Sequence, residues 1–475
     1  MPVGMKARND SAREPVDSRG RLTAPTRTGN HMMGVRDGAE RAPASPLSED
    51  AAEEHVHGIC FKTGPPGVVG VELEWLVCDG DDAASPVDHQ RVATALAGLD
   101  APGALPGQGR LTIEPGGQVE ISSAPAAAIG GCVSCAGRDL AAVRQAVQTA
   151  GISLVGRGVD PYRPPARILN LPRYAAMEEF FDRGGPWGRV MMCSTASVQV
   201  CVDAGLEGDG PSGYRYRWRL LHALGPVLVA AFANSPLRAG RPTGWKSTRQ
   251  AVWARLDPGR TRAPAGAEPR APNGGGPDLQ ANGDPRSAWA AYALDAELMC
   301  IRQRESPCWT APAGLTFRDW LRGASDRKPT RDDLTYHLST LFPPVRPQGH
   351  LELRVIDAQP GEGWIVPAAI VSALLDDPIA AEAAMAAAEA VWQDRTPPPR
   401  AGTIDGPAGP WLRAARFGPE DPGLARAGLA CFEAADAALG RSGAPPAIRR
   451  QVTDFADAYV LRGRCPADDM LEESR

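Results

Sequence analysis

The sequence predicts a mixed helix-and-strand fold in which several strands turn polar faces toward one shared space and apolar backs toward helices. Three observations carry this. Residues 68–77 alternate Val69, Val71, Leu73, Trp75 and Val77 with Gly70, Glu72, Glu74 and Leu76, the period of a half-buried strand. The same alternation returns at 118–122, 197–202 and 350–357, with Gln118, Glu120, Ser197, Gln199, Glu352 and Arg354 on the polar sides. Between these segments lie stretches of helical period, such as 137–150 and 214–233, able to cover the strands' backs.

Taken in order, residues 1–55 are polar, charged and Pro-bearing without an apolar period, so they are expected to be disordered. In the first strand Glu72 and Glu74 share a face, and side chains two apart on a strand sit roughly 6.5–7 Å apart. Adjacent carboxylates repel, and a buried carboxylate needs a partner. Two readings fit: a solvated sheet face, or a hard divalent cation such as Mg²⁺. A helix is predicted over 88–99. Strands 110–114 and 118–122 follow, joined by the turn signal Pro115-Gly116-Gly117. Helix 137–150 carries Leu140, Val143 and Val147 on its core side, and 152–155 reads as a buried strand.

A helix runs from Pro172 to near Gly184-Gly185, and 191–202 reads as a third polar-faced strand. Helix 214–233 is apolar through Leu220, Leu221, Leu224, Leu228 and Phe232, with a kink expected at Pro226 and an end at Asn234-Ser235-Pro236. Residues 257–286 are rich in Pro, Gly and Asn, the composition of a lid or a disordered loop. A helix over 286–305 comes next. The fourth strand, 350–357, sets His350, Glu352 and Arg354 against Leu351, Leu353 and Val355. From 363 to 463 the chain is Ala-rich and helical.

Composition narrows the function. A hydrophobic content of 43% with 23% charge is that of a soluble globular protein. The net charge of −5 gives no general attraction for nucleic acid or an anionic membrane. No apolar run is long enough for a transmembrane helix and no apolar segment marks a secretory signal, which makes the cytoplasm the expected location. Of the ten cysteines only Cys132 and Cys135 form a CxxC, and a zinc site needs a second ligand pair; reduced thiols are expected. Acidic strands accompanied by arginine suit metal-bridged phosphate chemistry, carboxylates for Mg²⁺ and guanidinium for phosphate or substrate carboxylate. A solvated antiparallel sheet is the other reading.

Seven pieces, in order, carry a resemblance. They are Gly70-Val71-Glu72-Leu73-Glu74, Glu114-Pro115-Gly116-Gly117-Gln118-Val119-Glu120, and Arg173-Tyr174 with Met177. Then come Met191-Met192 through Val198-Gln199-Val200, Ala233-Asn234-Ser235-Pro236, and Arg249 with Trp253, Asp257 and Arg260-Thr261. The last is the run from His337 to Pro343 with His350-Leu351-Glu352-Leu353-Arg354 and Asp357. Together they resemble the glutamate–cysteine ligase superfamily, in its plant-type and actinobacterial branch, and within it the ligases that make γ-glutamylcysteine for ergothioneine.

The resemblance implies an α+β fold, an antiparallel sheet curled into a funnel with helices outside, akin to glutamine synthetase. It implies one ligase domain over 56–475, with a mobile loop near 257–286 and a helical C-terminal part. The implied substrates are L-glutamate, L-cysteine and ATP, with Mg²⁺, and the implied intermediate is a γ-glutamyl phosphate. Glu72 and Glu74 match the family's first metal carboxylates, with Glu120 and Glu352 as partners and Glu114 as a further candidate. Gln199 would line the metal or phosphate region, or serve as a buried structural amide. Arg249 and Arg354 would contact carboxylate or phosphate. Arg260 would do the same from the loop, or be a solvated arginine; Trp253 would be substrate wall or core, as would Trp245. Asn234 and Ser235 would cap the helix end and shape the pocket floor. In place of the His-x-His strand of other branches the chain has Ser197-x-Gln199, and Cys132–Cys135 has no counterpart in the family. Three alternatives remain: another amine acceptor, a non-catalytic glutamate- or nucleotide-binding relative, and a guanidino-kinase-like phosphotransferase.

Overall fold

The computed structural model describes residues 47–80, 82–269, 283–303, 306–394 and 409–474. The chain begins with α1 (Glu49–Cys60), β1 (Val68–Asp79), α2 (His89–Leu96), β2 (Arg110–Ile113), β3 (Val119–Ser122), β4 (Ala126–Ala127), α3 (Ala128–Thr149) and β5 (Ile152–Val155). It continues through α4 (Pro172–Asp182), α5 (Trp187–Ser194), β6 (Ser197–Asp203), α6 (Tyr214–Ala231), the small hairpin β7 (Leu237–Arg238) and β8 (Arg241–Pro242), α7 (Thr248–Trp253), α8 (Pro258–Thr261), α9 (Pro285–Asp295), α10 (Phe317–Leu321) and α11 (Arg331–Leu338). After β9 (Val345–Pro347) and β10 (His350–Asp357) it is helical: α12 (Ile365–Asp376), α13 (Pro378–Gln393), α14 (Pro410–Phe417), α15 (Pro422–Arg441), α16 (Pro446–Ala458) and α17 (Pro466–Glu473).

β1 organises the sheet. The strand order is β2-β3-β1-β6-β10-β9, and every pairing is antiparallel. β4 and β5 also bond to β1, at its two ends. The back of the sheet is buried Val69, Val71, Leu73, Trp75, Val119, Ile121, Val198, Val200, Val202, Leu351 and Leu353. Against it pack α3 on β1 and β5, α12 on β6 and α6 on β10. Each such large side chain contributes about 1.5–3 kcal/mol by leaving water. The result is the α+β architecture with helices on one side of an antiparallel sheet. Among the described residues, no helix is long and apolar enough to cross a membrane.

Several elements depart from the sequence expectation. α1 starts inside the segment expected to be disordered. Ser48 caps it by accepting from the Ala51 N–H at 3.2 Å, and only a thin stripe, Ala52, Val56 and Cys60, is buried, too few residues to stand out among Glu and His. α9 supplies the surface it packs on, and the Trp289 indole N–H donates to Cys60 Sγ at 3.2 Å. Residues 191–194 belong to α5, not to the strand: Val190, Met191 and Met192 pack with Met177, Phe180, Phe181 and Val252 in a second apolar cluster. Short apolar runs read alike as helix or strand. α3 begins nine residues before the predicted helix, at Ala128, and carries Cys132 buried on its core side. α9 stops at Asp295 rather than near 305. The loop expected at 257–286 opens with the short helix α8, capped by Asp257; its stretch 270–282 lies outside the described residues.

Candidate active site

Register assembles the polar face. Glu74 pairs with Glu120 across β1–β3, and Glu72 stands between Ser122 on β3 and Gln199 on β6. Glu352 of β10 lies opposite Cys201 on one side and Arg346 of β9 on the other. Glu114 closes the β2–β3 hairpin: its N–H donates to the Gln118 carbonyl at 2.8 Å, and its carbonyl accepts from Gly117 at the same distance. Gly117 has φ +91°, and a Cβ there would strike Ile168, so the turn requires glycine.

The carboxylates fall into two groups. Glu74 accepts from Ser197 Oγ at 3.0 Å and Gln199 Nε2 at 2.9 Å, and Glu120 accepts from Thr112 Oγ1 at 3.0 Å and Ser122 Oγ at 3.2 Å. Among the described residues no donor reaches the carboxylate of Glu72 or Glu114. All four are half-buried, reachable by water from a deep face. Burial, then the charges of Glu352 and Glu120, hold the Glu72 carboxyl well above the usual carboxylate range. Burial with Glu120 raises Glu74, and burial with Glu120 and Glu74 raises Glu114 strongly. Burial and the Glu114 charge push the nearby Tyr174 hydroxyl up to about 12, so it stays protonated at neutral pH.

Glu352 is different. It is completely buried, and Arg346 grips it with two bonds, Nε to Oε2 at 2.8 Å and NH2 to Oε1 at 2.9 Å. Gln348 Nε2 donates at 2.8 Å, and Arg354 also donates to it. Burial alone would raise this carboxyl, but Arg346 and Arg354 overcome it and bring it down to about 2. The expectation that Glu352 offers ligand oxygens to a metal therefore meets a carboxylate already filled by arginine. Arg346 and Gln348 went unnoticed in the sequence because β9 is a three-residue strand with no measurable alternation.

Gln199 links the groups: its amide N–H₂ serves Glu74, and its oxygen accepts from Arg354. Arg249 donates from NH2 to the Arg354 carbonyl at 2.8 Å and lies 5.7 Å above the Trp253 ring. Its Nε and NH1 are buried without an acceptor, as is Nε of Arg354. Trp253 is half-buried, edge-on to Phe342 at 6.2 Å; it is core that also backs Arg249. Arg260 is the clear correction. It is fully buried, donating to the Thr340 carbonyl and hydroxyl and to the Glu297 carbonyl, with Phe180 4.6 Å beneath. It ties α8 to the segment after α11: NH1 and NH2 are taken by Thr340 and Glu297, Nε lies 3.7 Å from Asp257 Oδ2 without a hydrogen bond, and none of the site carboxylates pairs with it.

The face fits Mg²⁺ with phosphate. Glu72 and Glu114 lack donors and are raised by burial and then by neighbouring carboxylates, while Nε and NH1 of Arg249 and Nε of Arg354 lack acceptors. Among the described residues, no three His, Cys, Asp or Glu side chains converge into a ready-made cage. That suits an ion held by one or two carboxylates and completed by substrate oxygens and water.

The family profile of glutamate–cysteine ligase family 2 (GCS2) matches residues 68–474. The chain belongs to this family. Every site residue predicted from the sequence lies inside that span. Within glutamate–cysteine ligase family 2, the chain is 38% identical over 429 residues to the glutamate–cysteine ligase EgtA of Mycobacterium tuberculosis H37Rv, covering 89% of each. It is 37% identical to EgtA of Mycolicibacterium smegmatis over 436 residues, 90% of this chain and 92% of that one. The chloroplastic glutamate–cysteine ligase of Medicago truncatula is 30% identical over 260 residues, 54% of this chain and 48% of the plant enzyme.

Proposed function

We propose that the protein is an ATP-dependent glutamate–cysteine ligase, forming γ-glutamylcysteine for ergothioneine synthesis. The observation that carries the chemistry is the gathering of four acidic side chains, two of them without donors, with Arg354 of β10 and Arg249 of α7 at one polar face. The γ-carboxylate of glutamate attacks the γ-phosphate of ATP, releasing ADP and leaving an acyl phosphate. The amine of cysteine then displaces phosphate and loses a proton, giving the amide.

Glu72, Glu74, Glu114 and Glu120 supply the carboxylates for Mg²⁺ in this reading, one or two to an ion, and Mg²⁺ bound there would neutralise phosphate charge. Arg354 and Arg249 contact the transferring phosphoryl group or the substrate carboxylates in this reading. Gln199 and Glu352 fix Arg354 in advance, so little reorganisation accompanies charge development. Glu352 orders Arg346 and Arg354 rather than binding the ion. The elements from α1 to α17 act as one catalytic domain. ATP consumption and ten free thiols favour the cytoplasm.

The test is ADP release by purified protein with Mg²⁺, ATP and L-glutamate, with and without L-cysteine, followed by mass detection. Cysteine-dependent ADP with a γ-glutamylcysteine mass is the expected result. ADP release with another amide product would replace the acceptor; no nucleotide turnover with any amine would replace the enzyme by a binding protein.

A further inference from the structure

Strict alternation along β10 would put Asp357 with Leu351, Leu353 and Val355 on the apolar back. The register differs. Leu353 pairs with Val200, but Ile356, three residues on, pairs with Val198, so Asp357 comes opposite Ser197. The extra residue is a β-bulge, and it brings Asp357 to the face that holds Gln199 and Glu74.

There the carboxylate is 2% exposed. It accepts from the Asn234 N–H at 2.9 Å, Ser235 Oγ at 2.7 Å and Ser247 Oγ at 2.9 Å. Arg249 NH1 stands 3.9 Å from Asp357 Oδ1, an ion pair without a hydrogen bond. Ser247 is also the N-cap of α7, accepting from the Gln250 N–H at 3.2 Å. The Arg249 N–H itself donates to Ser235 Oγ at 3.2 Å. One buried carboxylate thus fixes both hydroxyls that set the start of α7, and places a negative charge behind the arginine that α7 carries.

We infer that Asp357 is the positioning residue for Arg249: through the Ser235 and Ser247 hydroxyls and its own charge it fixes where α7 holds the guanidinium that serves the anionic substrate. The identity of that anion rests on the ligase reading; the geometry does not.

The experiment compares Asp357→Asn, Arg249→Ala and the double variant by ADP release, with the melting temperature as a control. Asp357→Asn is expected to fold and to lose 10- to 100-fold in kcat/KM, and to add nothing further in the Arg249→Ala background. Millimolar guanidinium is expected to rescue Arg249→Ala several-fold and the double variant not at all. Equal rescue of both, or fully additive losses, overturns the inference. Should Asp357→Asn fail to fold, Ser235→Ala decides: a several-fold rise in substrate KM supports the inference, and wild-type kinetics overturn it. A wild-type protein silent in the ADP assay would remove the ligase reading alone. Binding of ATP and of L-glutamate by calorimetry then decides, since Asp357→Asn must weaken one of them and unchanged affinity for both overturns the inference.

Discussion

Glu74 and Glu120 stand directly opposite each other across the antiparallel register of β1 and β3. Like charges in that position destabilise a sheet, and each is held by hydroxyl or amide donors rather than by an arginine. The pairing is tolerable where a cation completes it.

Glu120→Gln removes one of the facing charges. In EDTA the variant is expected to melt above wild type, because repulsion is relieved. In Mg²⁺ its ADP release is expected to fall at least about 100-fold, the scale of losing one transition-state electrostatic contact. Near-normal turnover would remove Glu120 from the metal set.

The pH dependence of stability follows from the same carboxylates. Glu72, Glu74 and Glu114 are raised from an ordinary 4.5. A carboxyl raised in the folded state contributes stability below its unfolded value and loses it as pH rises through the folded value. Metal-free protein is therefore expected to weaken as pH climbs from the ordinary carboxylate range. Glu352, lowered to about 2, acts in reverse, its contribution present above 4.5 and lost as pH falls toward 2. Mg²⁺ should raise the melting temperature more at pH 8 than at pH 5; at 100 times Kd the stabilisation it gives reaches about 2.7 kcal/mol. An equal shift at both pH values would contradict this.

Arg354→Ala leaves Gln199 and Glu352 each short of a partner. Truncating one member of a buried charged pair costs roughly 2–5 kcal/mol, here expected in kcat/KM. Arg354→Lys should recover little, because a compact ammonium on a flexible stem lacks the planar, pre-organised fork that holds Gln199 and Glu352 together. Steady-state kinetics on the two variants check this.

Arg260→Ala is expected to damage folding rather than chemistry. It strands the Thr340 and Glu297 carbonyls, with a loss on the order of 3–5 kcal/mol as for other broken buried charge contacts. Denaturant melts should show this, while substrate KM of the folded fraction stays at the wild-type value.

The sequence made the polar faces of β1, β3 and β6 legible because apolar residues recur there at every second position and, Leu73 apart, the backs are β-branched or aromatic. Asp357 was hidden by the bulge, which reverses the phase that alternation assigns. Arg346 was hidden by the shortness of β9, and Ser247 by lying in a connector with no period, where only the resemblance marks Ser235 for the pocket floor. Arg260 misled for a different reason: a Pro- and Gly-rich stretch reads as surface, yet α8 and the apolar cluster around Phe180 draw its guanidinium inward. α1 escaped notice because its buried stripe is only three residues wide.

The position of β1 also gives the site a schedule. The strand is the first of the sheet to be synthesised and lies at its middle, bonded to β3, β4, β5 and β6. Glu72, Glu74, Glu114 and Glu120 leave the ribosome long before Arg249, Arg346 and Arg354. At about 5–20 residues per second the nascent acidic face waits on the order of tens of seconds for its last arginine. During that interval it is a cluster of repelling charges without counter-charge, and cellular Mg²⁺ is the cation at hand. The ion proposed for the site is then also expected to speed refolding of the denatured chain, and stopped-flow refolding in EDTA against Mg²⁺ would reveal it.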